Sequence, residues 1–223
     1  MKHLKDKVAV ITGGNSGIGY ATAKKLKEHG AEVIITGRRK EAVEAAAAAL
    51  GVTGIIADQS RVSDIEALAQ QVKASFAVID ILVVNAGITK FSAIEQTEES
   101  RFDEMMNVNF KGAYFTLSRF IPLLREGASV IMLSSTSATI SPQSASVYAA
   151  GKAAINAVVK IAALELASRK IRVNAVSPGP VATEIMQKIG LDEALENQLL
   201  QSIPLGRMGK AEEVADMIRY LAG

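Results

Sequence analysis

Six short runs rich in Val and Ile recur along the chain, separated by stretches with helical periodicity. The runs are Val8 to Thr12, Glu32 to Thr36, Gly54 to Ala57, Ile81 to Asn85, Ser129 to Leu133 and Arg172 to Val176. Most are continuously apolar, which is the pattern of strands buried on both faces in a parallel sheet covered by helices. Helix-like segments such as Ile18 to Glu28, Lys40 to Leu50 and Ile65 to Phe76 are long enough for right-handed crossovers. Six such alternations without a Pro- or Gly-rich linker predict one doubly wound, Rossmann-type α/β domain over residues 1–223, with helices on both faces of a parallel sheet.

A chain of 223 residues with 49% hydrophobic and 22% charged residues can bury a core without disulfide or metal support. It has no cysteine, so thiolate catalysis, disulfides and cysteine zinc sites are excluded. Its two histidines, His3 and His29, read as surface residues, and no metal site is expected. A net charge of +2 and the absence of a long basic block argue against nucleic-acid binding. Met1 to Lys7 is polar, without the apolar core of a signal peptide. No uncharged apolar stretch of about 18 residues predicts a membrane span. The cytoplasm is the expected compartment.

The first run leads directly into Thr12-Gly13-Gly14-Asn15-Ser16-Gly17-Ile18-Gly19 and then a helix. A strand, glycine turn and helix N-terminus place free N–H groups and a partial positive charge where a pyrophosphate can sit. The spacing TGxxxGxG is not GxGxxG, and such a turn can also be only a turn. After the second run, an NAD site would carry an acid for the ribose 2′-hydroxyl. Gly37-Arg38-Arg39 stands there instead. Arg38 can fork onto a 2′-phosphate; the alternative is a solvated basic helix start. The reading favours NADP(H), with NAD possible.

Tyr148 and Lys152 are spaced i, i+4 at the start of a helical stretch reaching about Ala167, so they share a face. A free phenol, with a pKa of about 10, is a poor base at neutral pH. A nearby ammonium favours the phenolate, which allows proton exchange with a carbonyl or alcohol oxygen. Taken alone, the pair can be two incidental neighbours.

The glycine turn, Asn85-Ala86-Gly87, the Tyr148 to Lys152 pair and Pro178-Gly179 occur in this order, and with this spacing the chain resembles the short-chain dehydrogenase/reductase family from Lys5 to Gly223. The resemblance implies carbonyl and alcohol interconversion by hydride transfer, with Tyr148 as general acid/base. It implies that Ser135 bonds the substrate oxygen, with Ser134 a rival by position. It also implies that Lys152 grips the nicotinamide ribose and that Asn109, rather than Asn107, holds a relay water. A mid-helix Asn suggests a local kink or a functional reason. The implied cofactor contacts are Gly13, Asn15, Ser16, Gly17, Ile18, Gly19, Arg38, Arg39, Asp58, Gln59, Asn85, Ala86, Gly87, Tyr148, Lys152, Pro178, Gly179, Val181 and Thr183. Asp58 would bond the adenine, or else start a helix from its loop. Asn85 would steady the central sheet.

Residues 184–205 read as a substrate lid, and Met186 to Ser202 as its helix or as ordinary core packing. Phe91 and Thr139 to Gln143 are further pocket candidates for a small carbonyl or alcohol substrate. Apolar faces on Met105 to Leu117 and on Tyr148 to Ala167 suggest, by the resemblance, a homodimer or homotetramer, or else burial within one subunit. Family members continue into a last strand and a Gly-Gly turn, so a chain ending at Gly223 is expected to lack that strand and leave a sheet edge uncovered. The rival functional reading is a cofactor-binding regulatory protein with little turnover.

Overall fold

A computed structural model of the protein describes residues 4–140, 142–183 and 193–223. Six parallel strands, β1 (Val8–Thr12), β2 (Glu32–Gly37), β3 (Thr53–Ile56), β4 (Ile79–Val84), β5 (Leu124–Leu133) and β6 (Arg172–Val176), form one sheet in the order β3-β2-β1-β4-β5-β6. The fold is the Rossmann-type doubly wound sheet anticipated from the alternation. The order reverses between β1 and β4, and such switch points open a crevice at the carboxyl ends of the strands.

The continuous apolar runs are explained by burial from both sides. Every residue of β4 is buried. Val10, Ile34, Leu82, Val84 and Val130 face one core cluster, and Ala9, Ile11, Val33, Ile35, Ile81 and Ile131 face the other. Strand β3 is an edge, and its residues are exposed or half-buried. Strand β6 is the other edge; among the described residues nothing pairs beyond it.

The helices are α1 (Gly17–Glu28), α2 (Lys40–Leu50), α3 (Val62–Phe76), α4 (Glu99–Met106), α5 (Ala113–Phe120), the single turn α6 (Ser137–Ile140), α7 (Ser146–Glu165), α8 (Glu193–Ser202) and α9 (Ala211–Ala222). Residues Asn107–Gly112 join α4 to α5 through a turn of π-helix, a local irregularity at the mid-helix Asn109. Two-residue strands β7 (Val181–Ala182) and β8 (Gly209–Lys210) pair in parallel. Of the expected lid, residues 184–192 lie outside the described residues, and its later part is α8.

Strand β5 starts at Leu124, five residues before the apolar run. Leu124 pairs with Ile79 and Ser129 with Ile81, so the register shifts between them. Exposed Arg125, Glu126 and Gly127 fill the shift, which hid this part of the strand from an apolarity criterion. Helix α7 is long and apolar enough, by length and composition, to cross a membrane. Here Val147, Ile155, Val159 and Ala162 are buried within the domain, so one face of it packs in the core.

Candidate active site and cofactor cleft

The glycine turn closes against the end of β4. Asn85 donates from Nδ2 to the carbonyls of Thr12 and Gly13 at 2.9 and 3.1 Å. The Thr12 hydroxyl oxygen accepts the N–H groups of Asn85 and Ala86, both at 3.0 Å. These bonds link the two strands at the switch point and hold Gly13 at φ +64°. A side chain at Gly19 would collide with the Gly13 carbonyl and with Asn85 Nδ2, so only glycine lets the first turn of α1 sit so close.

That first turn contains no acid, and Ser16 makes no side-chain cap. Its N–H groups thus keep the unsatisfied donor character that binds phosphate. Thr183 lies over the same turn: a carbon added at Gly17 would be 3.3 Å from Thr183 Cγ2. The segment after β6 therefore reaches the glycine loop, and Val181 just ahead of it is buried.

At the end of β2, Gly37 packs against the Asn15 side chain; an added carbon would lie 2.5 Å from Asn15 Oδ1. A carboxylate at that position would require Asn15 to move. Arg38 and Arg39 are exposed, and Arg38 forms no ion pair with the described residues. Asp58 is half-buried, and its Oδ1 accepts from the backbone N–H and hydroxyl of Ser60 at 2.9 and 2.8 Å. Asp58 thus braces its own loop, while the N-cap of α3 is Arg61; the second Asp58 oxygen is not used by Ser60. Gln59 has its side chain spent inward: Nε2 donates to the carbonyls of Ala86 and Val108 at 3.0 Å each.

The chemistry-bearing side chains meet beyond β4 and β5. Lys152 is 5% exposed and donates from Nζ to the Leu133 carbonyl at 2.7 Å. Its burial lowers its pKa from 10.5 to about 8. No carboxylate pairs with it among the described residues. Its ammonium lies 5.8 Å from the centre of the half-buried Tyr148 ring, as the i, i+4 spacing requires. A carbon added at Gly87 would lie 3.2 Å from Asn109 Oδ1 and 3.7 Å from Lys152 Nζ, so these side chains converge on the Asn85-Ala86-Gly87 turn.

Asn109, 2% exposed, accepts the Ile88 N–H at Oδ1 and donates to the Ile88 carbonyl from Nδ2, both at 2.8 Å. The competing serines also separate. Ser134 donates to the Lys152 carbonyl at 3.1 Å inside the core and is committed to structure. Ser135 accepts the Ser137 N–H at 3.1 Å, which leaves its own hydroxyl proton to point elsewhere. Pro178 caps the same edge, its carbonyl accepting the Thr136 N–H at 3.0 Å, with Gly179 following. Thr12 and the Leu133 carbonyl were not among the residues anticipated. Thr12 carried a weak signal as the residue before the first glycine; a carbonyl carries none.

An open groove of about 480 Å³ runs along α6 and α7, lined by Ile94, Ala138, Pro142, Gln143, Ala149 and Ala153 among others. Phe91, Ile94 and Ile140 nearby in the chain are 42%, 80% and 73% exposed. Among the described residues no cluster of His, Asp and Glu could hold a metal ion.

A Rossmann-type sheet with an uncapped glycine turn at its switch point and a Tyr and Lys pair at the adjoining edge defines a dinucleotide-dependent oxidoreductase. The family model described as enoyl-(acyl carrier protein) reductase matches residues 13–223. A 3alpha-hydroxysteroid dehydrogenase of Mediterraneibacter gnavus is 35% identical over 98% of this chain and 90% of its own. The solved short-chain dehydrogenase/reductase of Serratia marcescens superposes with a TM-score of 0.92 at 34% identity, covering 99% of this chain and 91% of that one. A 3-ketoacyl-(acyl-carrier-protein) reductase from Brucella melitensis, solved with NADH, gives 0.91 at 33% identity over 99% and 92%. The chain belongs to the short-chain dehydrogenase/reductase family, whose oxidoreductases bind a nicotinamide cofactor.

Proposed function

We propose that the protein interconverts a carbonyl and an alcohol with NADP(H), Tyr148 acting as the general acid/base. The observation that carries this reading is the buried Lys152 ammonium, without a carboxylate partner among the described residues and 5.8 Å from the Tyr148 ring. A cation held this way favours negative charge on a neighbouring phenol and on a ligand hydroxyl.

The uncapped turn Gly13 to Gly19, including Asn15, Ser16, Gly17 and Ile18, holds the pyrophosphate in this proposal. Asp58 reaches the adenine. Ala86, Gly87, Pro178, Gly179, Val181 and Thr183 border the nicotinamide end, and Lys152 binds its ribose. When bound, the nicotinamide supplies or accepts the hydride. Exposed Arg38, with Arg39 beside it and no acid at Gly37, supports a 2′-phosphate and thus NADP(H) over NAD(H).

Tyr148 passes the proton to or from the substrate oxygen. Ser135 donates a hydrogen bond to the charge that develops there. Asn109 positions a water for proton supply. Exposed Phe91, Ile94 and Ile140 support an apolar carbonyl compound as substrate. Tyr114, Ile161 and Leu164 on the outer sides of α5 and α7 are 46%, 56% and 80% exposed and support self-association as a dimer or tetramer. A cytoplasmic setting belongs to the same proposal.

The test is Tyr148→Phe, assayed by NADPH oxidation against a panel of ketones, aldehydes and quinones. Turnover disappears while NADPH binding, followed by fluorescence, persists. Undiminished turnover in the purified variant would overturn the assignment. A wild-type protein that binds NADPH but turns over none of the panel would favour a regulatory binder.

A further inference from the structure

The π turn that carries Asn109 is fastened at both ends to one residue fifty positions upstream. Gln59, 8% exposed, donates from Nε2 to the carbonyl of Val108, the residue before Asn109, and to the carbonyl of Ala86. At the other end, a side chain on Gly112 would collide with the Gln59 carbonyl and lie 2.8 Å from Gln59 Cγ. The glycine therefore allows the turn to close onto the Gln59 backbone.

Asn109 and Gln59 grip the same loop. Gln59 holds Ala86, and Asn109 holds both backbone groups of Ile88. A π turn interrupts the regular ladder, and such interruptions persist where a side chain inserts and takes up a backbone group. The Gln59 amide nitrogen is placed to do this at Val108. Its Oε1 is buried with no hydrogen-bond partner among the described residues. An apolar residue of similar volume would fill the space without that penalty, so what the amide contributes here is its donor.

We infer that Gln59 is a positioning residue. Its amide holds the π turn open at Val108 and thereby sets Asn109 against Ile88. The consequence for turnover rests on the proposed role of Asn109. The consequence for Ile88 does not.

Gln59→Met keeps the length and removes the donors; Gln59→Leu serves if the Met variant does not accumulate in folded form. Backbone amide exchange at Ile88, read by NMR, rises about tenfold or more in either variant, as it does in Asn109→Ala. In the wild-type background kcat falls about tenfold, whereas in an Asn109→Ala background the same substitution changes it by less than about twofold. Unchanged Ile88 exchange overturns the positioning role. So does an equal loss of kcat in both backgrounds, which is the mark of a general structural effect. Raised Ile88 exchange in the Gln59 variants, with full turnover in Asn109→Ala, supports the positioning of Asn109 and overturns only its part in turnover.

Discussion

The Lys152 ammonium rests on the Leu133 carbonyl at 2.7 Å, joining α7 to the last residue of β5. A single neutral acceptor offsets little of the cost of burying a charge, and the lysine pKa falls to about 8.

The fall has a sign that can be checked. The unfolded lysine keeps its proton to about pH 10.5, whereas the folded one releases it near pH 8. Between those values the unfolded state binds more protons, so stability rises with pH. The burden on folding is full below pH 8 and is lifted as pH approaches 10.5. At about 1.4 kcal/mol per pKa unit, wild type should gain about 3 kcal/mol relative to Lys152→Met across this window. Urea unfolding of both proteins at pH 7 and pH 10.5 measures the difference. An equal response in the two would contradict the depressed pKa. Turnover is lost in Lys152→Met at either pH.

Adjacent serines should respond differently to removal of the hydroxyl. The Ser134 hydroxyl bonds the Lys152 carbonyl inside the core, so Ser134→Ala costs about 1 kcal/mol of stability and leaves turnover largely intact. Ser135→Ala leaves stability nearly unchanged and lowers kcat about 10²- to 10³-fold, the scale for loss of one oxyanion donor. The reverse pattern would exchange their roles.

Arg38→Ala should raise the Kd for NADPH about tenfold or more, as expected for a charge-assisted pair, while the Kd for NADH moves little. Titration with both cofactors decides it. Equal weakening of both would exclude a 2′-phosphate contact.

At the switch point, Asn85→Asp should be worse than Asn85→Ala. The alanine loses the bonds to the Thr12 and Gly13 carbonyls, at about 1–3 kcal/mol. The aspartate also turns a carboxylate oxygen toward those carbonyls. Thermal unfolding ranks the two, and cofactor affinity falls in both because the Gly13 turn loses its anchor.

Leu164→Glu should leave the fold intact, since Leu164 is 80% exposed, and shift the protein toward monomer. Light scattering of both proteins at matched concentration reads the assembly. A variant with wild-type mass would remove this face from the proposed interface.

Local pattern alone placed β1, β6 and α2 at their observed limits and put Tyr148 and Lys152 on one helix face. Periodicity, turn chemistry and i, i+4 spacing act within a few residues, so they are written in order along the chain. The glycine turn was legible for the same reason, as was the interruption at Asn109. The tertiary structure alone decided which serine the core consumes, that Lys152 is buried on a carbonyl, and that Asp58 turns to Ser60. It also decided that the Gln59 amide points to Val108 and not outward. Those outcomes rest on backbone groups and on partners as far as 49 positions apart. Every residue offers the same carbonyl to a donor, so no residue type marks which one will be met.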